Sequence, residues 1–195
     1  MSVEDPSLLN SSMYVYNTYW STEINNLLTL QDIGVHLQEV GREYGTTTGR
    51  RRRCGWLDLL VLRHSSMING YDSLNLTKLD VLDQLPEIKI ATRYLVDGKE
   101  LEGFPGQPLS SLPQILSADI FLFHAADLEL LANVDVEYVT LPGWQSSIEN
   151  ITSYDDLPEN CKGYIKFVED SLNVPIEWIG VGPARKSMVR KELKQ

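Results

Sequence analysis

A nine-residue stretch, GTTTGRRRR at residues 45–53, places three threonines between two glycines and four arginines directly after them. Glycine allows the backbone to adopt positive φ and to approach a ligand closely. Threonine hydroxyls and free backbone N–H groups can donate to carboxylate or phosphate oxygens, which arginine also binds through paired hydrogen bonds. The stretch predicts an anion-binding loop, although the arginines alone fit a solvated basic run or a nuclear-import-like patch equally well.

The rest of the chain is acidic, so the arginine run stands out from its background. The 195 residues carry a formal net charge of -10, which argues against nucleic acid as the main partner. No apolar run reaches the roughly 18 residues of a membrane span, and no secretory signal begins the sequence. Two cysteines and three histidines without metal-ligand spacing indicate reduced thiols and no metal site. We therefore expect one cytoplasmic domain with a real core.

Apolar periodicity predicts helices that alternate with strands, which is the pattern of an α/β fold. One helix is expected from Ser21 or Thr22 to about Tyr44, a second, buried helix at 57–67, and a third at 158–172. Strands are expected at 73–77, 87–96, 101–105, 135–140 and 174–179. The residues after 185 show no clear periodicity, and we expect them to fray. Trp144 is expected to act as an aromatic anchor after the fourth strand.

Two segments sit at the ends of predicted strands, where ligands bind in open α/β sheets. The first, TKLD at 77–80, looks like the guanine-reading NKxD motif of GTP-binding proteins. A carboxylate at Asp80 can accept hydrogen bonds from guanine N1–H and the exocyclic amine, a donor pair that adenine lacks. The second, GVGP at 180–183, lets the backbone approach a flat ligand. Taken alone, the first segment is much more often a plain strand end, and the second is simply a turn.

A longer set of segments resembles adenylosuccinate synthetase, the GTP-dependent ligase of AMP synthesis. These segments are GREYGTTTGRRRRCGWLD, NGYDSLNLTKLDVLD, VEYVTLPGW, DLPENCKGYIKFVE and WIGVGP. The resemblance runs from about Asp32 to Val189 with one interruption. It implies an enzyme in which GTP phosphorylates O6 of IMP and the amino group of L-aspartate then displaces the phosphate. It further implies Mg²⁺ as cofactor and a homodimer.

The resemblance also implies the roles of particular residues. Those that bind the aspartate carboxylates are Thr46, Thr47, Thr48, Gly49, Arg50, Arg51 and Arg52. Within that loop, Arg50 also reaches IMP and Arg52 also reaches GTP. Those that hold the guanine nucleotide are Lys78, Leu79, Asp80, Gly180, Val181 and Gly182.

The chain departs from the family pattern in three places. Residues 1–31 do not match it, residues 106–125 form an insertion with an apolar second half, and no GxxxxGK-like phosphate loop occurs. We therefore expect a partial P-loop-type α/β fold, the C-terminal region at 32–195, with no catalytic residue in this chain and no turnover by it alone. The alternatives are an inactive fragment and a guanine-nucleotide-binding regulatory module. The insertion is expected to be a gene-model artefact, or else a partner-binding loop.

Overall fold

A computed structural model describes residues 12–16, 31–52, 54–101 and 134–193. The predicted start of the first helix, most of the predicted return strand at 101–105, the insertion at 106–125 and Arg53 lie outside these residues. In chain order the elements are β1 (Ser12–Tyr16), α1 (Gln31–Val40), β2 (Leu57–Asp58), α2 (Leu59–Asn69), β3 (Ser73–Thr77), β4 (Glu87–Val96), β5 (Lys99–Glu100), β6 (Asp135–Pro142), α3 (Glu159–Leu172), β7 (Ile176–Gly180) and β8 (Met188–Arg190).

One sheet has the strand order β1-β3-β7-β8. The first three strands are parallel, and β8 pairs antiparallel with β7. Because parallel strands end at the same edge, the residues after β3 and β7 are brought together there. Neither β1 nor β8 was predicted from the sequence. The expectation that the residues after 185 fray is wrong for 188–190, because the edge of β7 offers these residues a backbone partner.

A second sheet is built around β4, which pairs antiparallel with β6 along one edge. Along its other edge lie β2 in parallel and β5 in antiparallel orientation. The strand prediction at 87–96 is confirmed, and β6 extends two residues past the predicted end. The return of the hairpin begins at Lys99, earlier than predicted, because Asp97 and Gly98 both adopt positive φ in a two-residue turn.

The first helix ends at Val40, four residues before the predicted end at Tyr44. Gly41 donates its N–H to the Leu37 carbonyl at 3.0 Å, and Arg42 then turns into the left-handed region with φ 51. A Cβ on residue 41 would lie 2.3 Å from the Leu37 oxygen, so the termination requires glycine. The chain therefore leaves the helix before it enters the threonine–arginine stretch.

The second helix begins at Leu59 because Leu57 and Asp58 form the short strand β2. Asp58 caps the helix by accepting from the N–H groups of Leu60 at 2.9 Å and Val61 at 3.3 Å. The helix ends at Asn69, two residues past the predicted end, and Gly70 follows it in the left-handed conformation. The expectation of a buried helix holds only for its first half, since Met67 and Ile68 are more than 60% exposed.

We expect Asp58→Ala to lower the free energy of unfolding by about 2–4 kcal/mol. The change removes the helix cap and leaves the buried Tyr94 hydroxyl, which donates to Asp58, without its acceptor. Urea unfolding followed by circular dichroism measures the loss. Asp58→Asn keeps a capping oxygen and should cost less. Equal losses for the two variants would contradict the cap assignment.

The main core lies between α3, the 144–148 segment and the first sheet. From α3 it takes Tyr164, Ile165 and Val168, which lie on one face of the helix, while Phe167 is only half-buried. The Trp144 ring meets Tyr164 edge to face, with centroids 6.1 Å apart, so the predicted aromatic anchor is confirmed. The last predicted strand, at 174–179, is observed slightly later as β7. The predicted α/β architecture is confirmed.

Candidate functional site

A cleft of about 670 Å³ opens at the carboxyl ends of β3 and β7. Both strand-end segments singled out in the sequence contribute to it, together with the turn after α1. Its lining residues are Val40, Gly41, Arg42, Thr77, Lys78, Asp80, Val81, Asp83, Glu149, Gly182, Pro183, Ala184, Arg185 and Met188. The structure thus brings together two segments that are about 100 residues apart in the chain.

Lys78 is held in a defined position at the floor of this cleft. Its backbone adopts the left-handed conformation, with φ 66, directly after β3. Its Nζ lies 2.9 Å from Glu43 Oε1 and 2.5 Å from the Gly41 carbonyl oxygen. These two bonds occupy the ammonium group, so the aliphatic stem is the part of the side chain that can contact a planar ligand.

Asp80 faces the cleft two residues later, while the intervening Leu79 does not. The Leu79 side chain is fully buried, and its N–H donates to the Gly180 carbonyl at 3.2 Å. Leu79 therefore ties the two strand ends together and offers no side-chain contact to a ligand. Asp80 begins a short 3-10 turn at Asp80–Leu82 and lines the cleft.

The Asp80 carboxylate lies in an acidic and partly desolvated environment. Burial raises its pKa above the ordinary value, and the nearby carboxylates of Asp83 and Glu149 act in the same direction. Its own backbone N–H and Lys78 act in the opposite direction. A ligand that donates two hydrogen bonds to this carboxylate would favour its ionised form.

The turn after β7 supplies the opposite wall of the cleft. A Cβ on Gly180 would lie 3.1 Å from both Cα and Cβ of Thr77, so glycine allows β7 to pack closely against β3. Val181 is buried and donates its N–H to the Ser187 carbonyl at 2.9 Å. Of the three predicted residues, only Gly182 lines the cleft directly. Gly180 and Val181 support this wall through their packing but do not line the cleft.

The threonine–arginine stretch forms a tight, exposed loop. Its base closes where Gly45 donates to the Arg50 carbonyl at 2.7 Å, and Tyr44 and Arg51 form an antiparallel bridge. Gly49 has φ 64 and donates to the Gly45 carbonyl at 2.8 Å. Thr46 and Thr47 are exposed, as are the described arginines that follow, Arg50, Arg51 and Arg52. The loop therefore presents hydroxyls and guanidinium groups on one exposed turn.

The arginines of the loop differ in their partners within the described part of the chain. Arg51 pairs with Glu39, which also accepts from the Tyr44 hydroxyl. Arg52 pairs with Glu43 at 3.2 Å. No described carboxylate pairs with the guanidinium of Arg50.

Glu43 joins the loop to the cleft, and sequence reasoning missed it. Its side chain is 7% exposed, and its two oxygens separately contact Arg52 and Lys78. The residue lies inside the GREYG segment quoted above, but a charged residue after a helix gives no sign of burial.

Asp83 is a second residue that the sequence did not reveal. It accepts from Trp144 Nε1 at 2.8 Å and from the Ile148 N–H at 3.1 Å, and so fixes the 144–148 segment beside the cleft. A smaller cleft of about 430 Å³, lined also by His36 and Gln145, adjoins the larger one at Asp80 and Asp83. Asp83 thus forms part of the wall between them.

Together these residues can bind a planar base with two adjacent donors and an anionic group nearby. No cluster of three or more acidic, histidine or cysteine side chains with the geometry of a metal site occurs in the described ranges. None of the described helices is long and apolar enough to cross a membrane.

Comparison with known proteins gives one consistent family. The family model of adenylosuccinate synthetase matches residues 13–189. The match therefore begins within residues 1–31, which were expected not to match the family pattern. The chain is 85% identical over 166 residues to adenylosuccinate synthetase 1 of Laccaria bicolor, and 60% identical over 166 residues to adenylosuccinate synthetase of Coprinopsis cinerea. Each match covers 85% of this chain and 34% of the relative, so the chain spans about a third of their length.

A solved structure agrees with this family. The fully ligated adenylosuccinate synthetase of Plasmodium falciparum superposes with a TM-score of 0.73 at 36% sequence identity. The match covers 91% of this chain and 39% of that one. The predicted fold class, a part of the P-loop-type α/β fold of this enzyme, is therefore confirmed.

Proposed function

The chain belongs to the adenylosuccinate synthetase family, and we propose that its cleft at the ends of β3 and β7 binds the guanine of GTP. The proposed reaction is the GTP-dependent ligation of IMP and L-aspartate to adenylosuccinate. The observation that carries this proposal is the convergence of Lys78, Asp80 and Gly182 on one cleft. The same cleft is linked to the threonine–arginine loop through Glu43.

In this proposal Asp80 selects the base. Its ionised carboxylate accepts from guanine N1–H and from the exocyclic amine, and these charge-assisted bonds form away from bulk water. Adenine presents an acceptor at N1, which would face the carboxylate and be repelled. The Lys78 stem lies along the face of the base, and the backbone at Gly182 allows the ring to approach closely.

The loop at 45–52 supplies the anion sites of the proposed reaction. Hydroxyls of Thr46, Thr47 and Thr48 and the turn at Gly49 bind the aspartate carboxylates, together with Arg51. In this proposal Arg50, which lacks a described carboxylate partner, binds both aspartate and IMP. Arg52 binds both aspartate and GTP. The guanidinium groups orient the anions and stabilise the charge that develops as the phosphate leaves.

Mg²⁺ belongs to the reaction proposed for the family, where it neutralises charge on the phosphates. The described residues do not fit the ion, because no group of acidic or other ligating side chains converges among them. None of the roles given above depends on the ion. A homodimer and a cytoplasmic location complete the proposal.

We expect GTP to raise the melting temperature of the chain by about 5–10 °C at a concentration 100 times its dissociation constant. A ligand that binds only the folded state stabilises it by about 2.7 kcal/mol under that condition. ATP at the same concentration should leave the temperature unchanged. Thermal melts followed by circular dichroism measure both shifts. Equal shifts with the two nucleotides, or none with GTP, would overturn the proposal.

A further inference from the structure

A buried carboxylate stands between the two proposed subsites. Glu43 is 5% exposed, in the turn that connects α1 to the threonine–arginine loop. Its Oε1 lies 2.9 Å from Lys78 Nζ and its Oε2 lies 3.2 Å from Arg52 Nη1. One partner belongs to the guanine cleft and the other to the loop. A single side chain therefore contacts both.

Backbone hydrogen bonds fix the position of this carboxylate. Glu43 donates its N–H to the Gln38 carbonyl at 2.9 Å, and its own carbonyl accepts from the Arg52 N–H at 2.9 Å. Gln38 in turn donates to the Arg52 carbonyl at 2.8 Å. Both ends of the connection are thus anchored on α1. A displacement of the Arg52 backbone would move the carboxylate, and with it the Lys78 ammonium group.

We propose that Glu43 is a positioning residue that couples order in the threonine–arginine loop to occupancy of the guanine cleft. This inference rests on the proposed function, since it assumes that the cleft binds guanine nucleotide. Glu43 touches no substrate in this arrangement. It acts by holding Lys78 along the cleft floor and Arg52 at the base of the loop.

A partly buried ammonium group such as that of Lys78 is costly to leave without a carboxylate partner. Without the carboxylate, the Lys78 ammonium group keeps only its hydrogen bond to the Gly41 carbonyl at 2.5 Å, so it moves toward solvent to be hydrated. Its stem then no longer lies where a base can contact it. The base of the loop loses its ion pair at the same time, so the loop opens more often. A base seated on the Lys78 stem favours the paired arrangement and so stabilises the loop.

The test compares the full chain with Glu43→Gln, which keeps the size and removes the charge. Titration with a fluorescent GTP analogue should show binding weakened about tenfold, because the Lys78 stem is no longer held in place against the base. Glu177→Gln is the matched control, because Glu177 is a partly buried carboxylate paired with Arg190 near the opposite end of β7. The control should bind the analogue as the wild type does.

A double-mutant cycle separates positioning from general destabilisation. If Glu43 acts through Lys78, then Glu43→Gln combined with Lys78→Gln weakens binding by less than the product of the two separate factors. If the factors multiply, the proposal is wrong. Thermal melts of all variants show whether they are folded under the conditions of the titration.

Limited trypsin digestion measures how often the loop opens, since cleavage after its arginines requires local opening. We expect faster cleavage after residues 50–52 in Glu43→Gln than in the wild type, with unchanged cleavage within α3. Saturating GTP should slow cleavage in the wild type and have no effect in the variant. Equal protection in both would overturn the coupling while leaving GTP binding intact. Failure of the wild type to bind GTP would overturn both this inference and the proposed function.

Discussion

Replacing Asp80 with asparagine is expected to weaken GTP binding about 100-fold. The asparagine NH2 would face the exocyclic amine of guanine, donor against donor, and only a neutral oxygen would remain to accept from N1–H. The same change should improve binding of xanthosine triphosphate. Xanthine carries a carbonyl where guanine carries the exocyclic amine, so the asparagine amide can donate to it while its oxygen still accepts from N1–H. Because affinity for one ligand is gained, a general loss of structure cannot explain the result.

The same substitution should make the nucleotide-free chain more stable at neutral pH. Burial raises the pKa of Asp80 in the folded state above its unfolded value. A carboxyl with a raised folded pKa contributes stability below its unfolded pKa, and that contribution is lost as the pH rises through the folded pKa. At pH 7 the ionised group therefore opposes folding, and asparagine removes this cost. The advantage of the variant should shrink as the pH falls below both values.

Titration calorimetry with the two nucleotides and melts between pH 3 and pH 7 measure these effects. Asp156→Asn is a suitable control, because Asp156 is an exposed aspartate outside the residues that line the cleft. Unchanged GTP affinity in Asp80→Asn would show that this carboxylate does not read the base. A lower melting temperature at pH 7 would contradict the electrostatic account of the apo cleft.

Gly143→Ala is expected to lower the free energy of unfolding by about 3 kcal/mol, and the melting temperature by about 6–12 °C. A Cβ at this position would lie 1.8 Å from the Leu85 carbonyl oxygen. The glycine also donates to the Pro86 carbonyl at 2.9 Å, so the backbone cannot move away without losing that bond. The displacement would extend to Trp144, which closes the core beside the cleft.

Gly163→Ala is the matched control for this prediction. Gly163 lies inside α3, is exposed, and a Cβ there would meet no atom within 4 Å. Alanine has a higher helix propensity than glycine, so this variant should gain about 0.5–1 kcal/mol. Urea denaturation of both variants gives the two free energies. A loss of less than 1 kcal/mol for Gly143→Ala would show that the β6 end relaxes around the methyl group.

The elements best predicted from the sequence are those with a local signal. β4 has clean alternation and is followed by the Asp97-Gly98 turn, so its bounds could be predicted. The third helix has an apolar face and is followed by Asn173, and its predicted bounds were right to within one residue. In both, the pattern along the chain and the tertiary packing require the same structure.

Elements that depend on distant partners could not be predicted in this way. β8 is three residues long, and only the free edge of β7 makes it a strand. β1 pairs with β3, about 60 residues later in the chain. The end of α1 was placed too late, because the left-handed turn at Arg42 depends on where the following loop is anchored. Glu43 was missed because its burial depends on two basic residues from separate segments.

The strand-end residues of the proposed site could be recognised from the sequence because each motif is local. Their convergence on one cleft depends on the tertiary fold and could not be predicted. Lys78 and Asp80 lie within one tetrapeptide, and Gly182 lies in a turn of recognisable composition. Only the parallel pairing of β3 with β7 brings them to the same edge. Leu79 and Val181 share these motifs, yet their side chains are buried, a distinction that a motif match cannot make.

The central claim, that the cleft at the ends of β3 and β7 is a guanine site, is tested most directly by nuclear magnetic resonance of the ¹⁵N-labelled chain. Addition of GTP should shift the amide signals of Lys78, Leu79, Asp80, Val181 and Gly182, whereas ATP at equal concentration should leave them in place. Shifts confined to other parts of the chain, or the same shifts with both nucleotides, would contradict the claim.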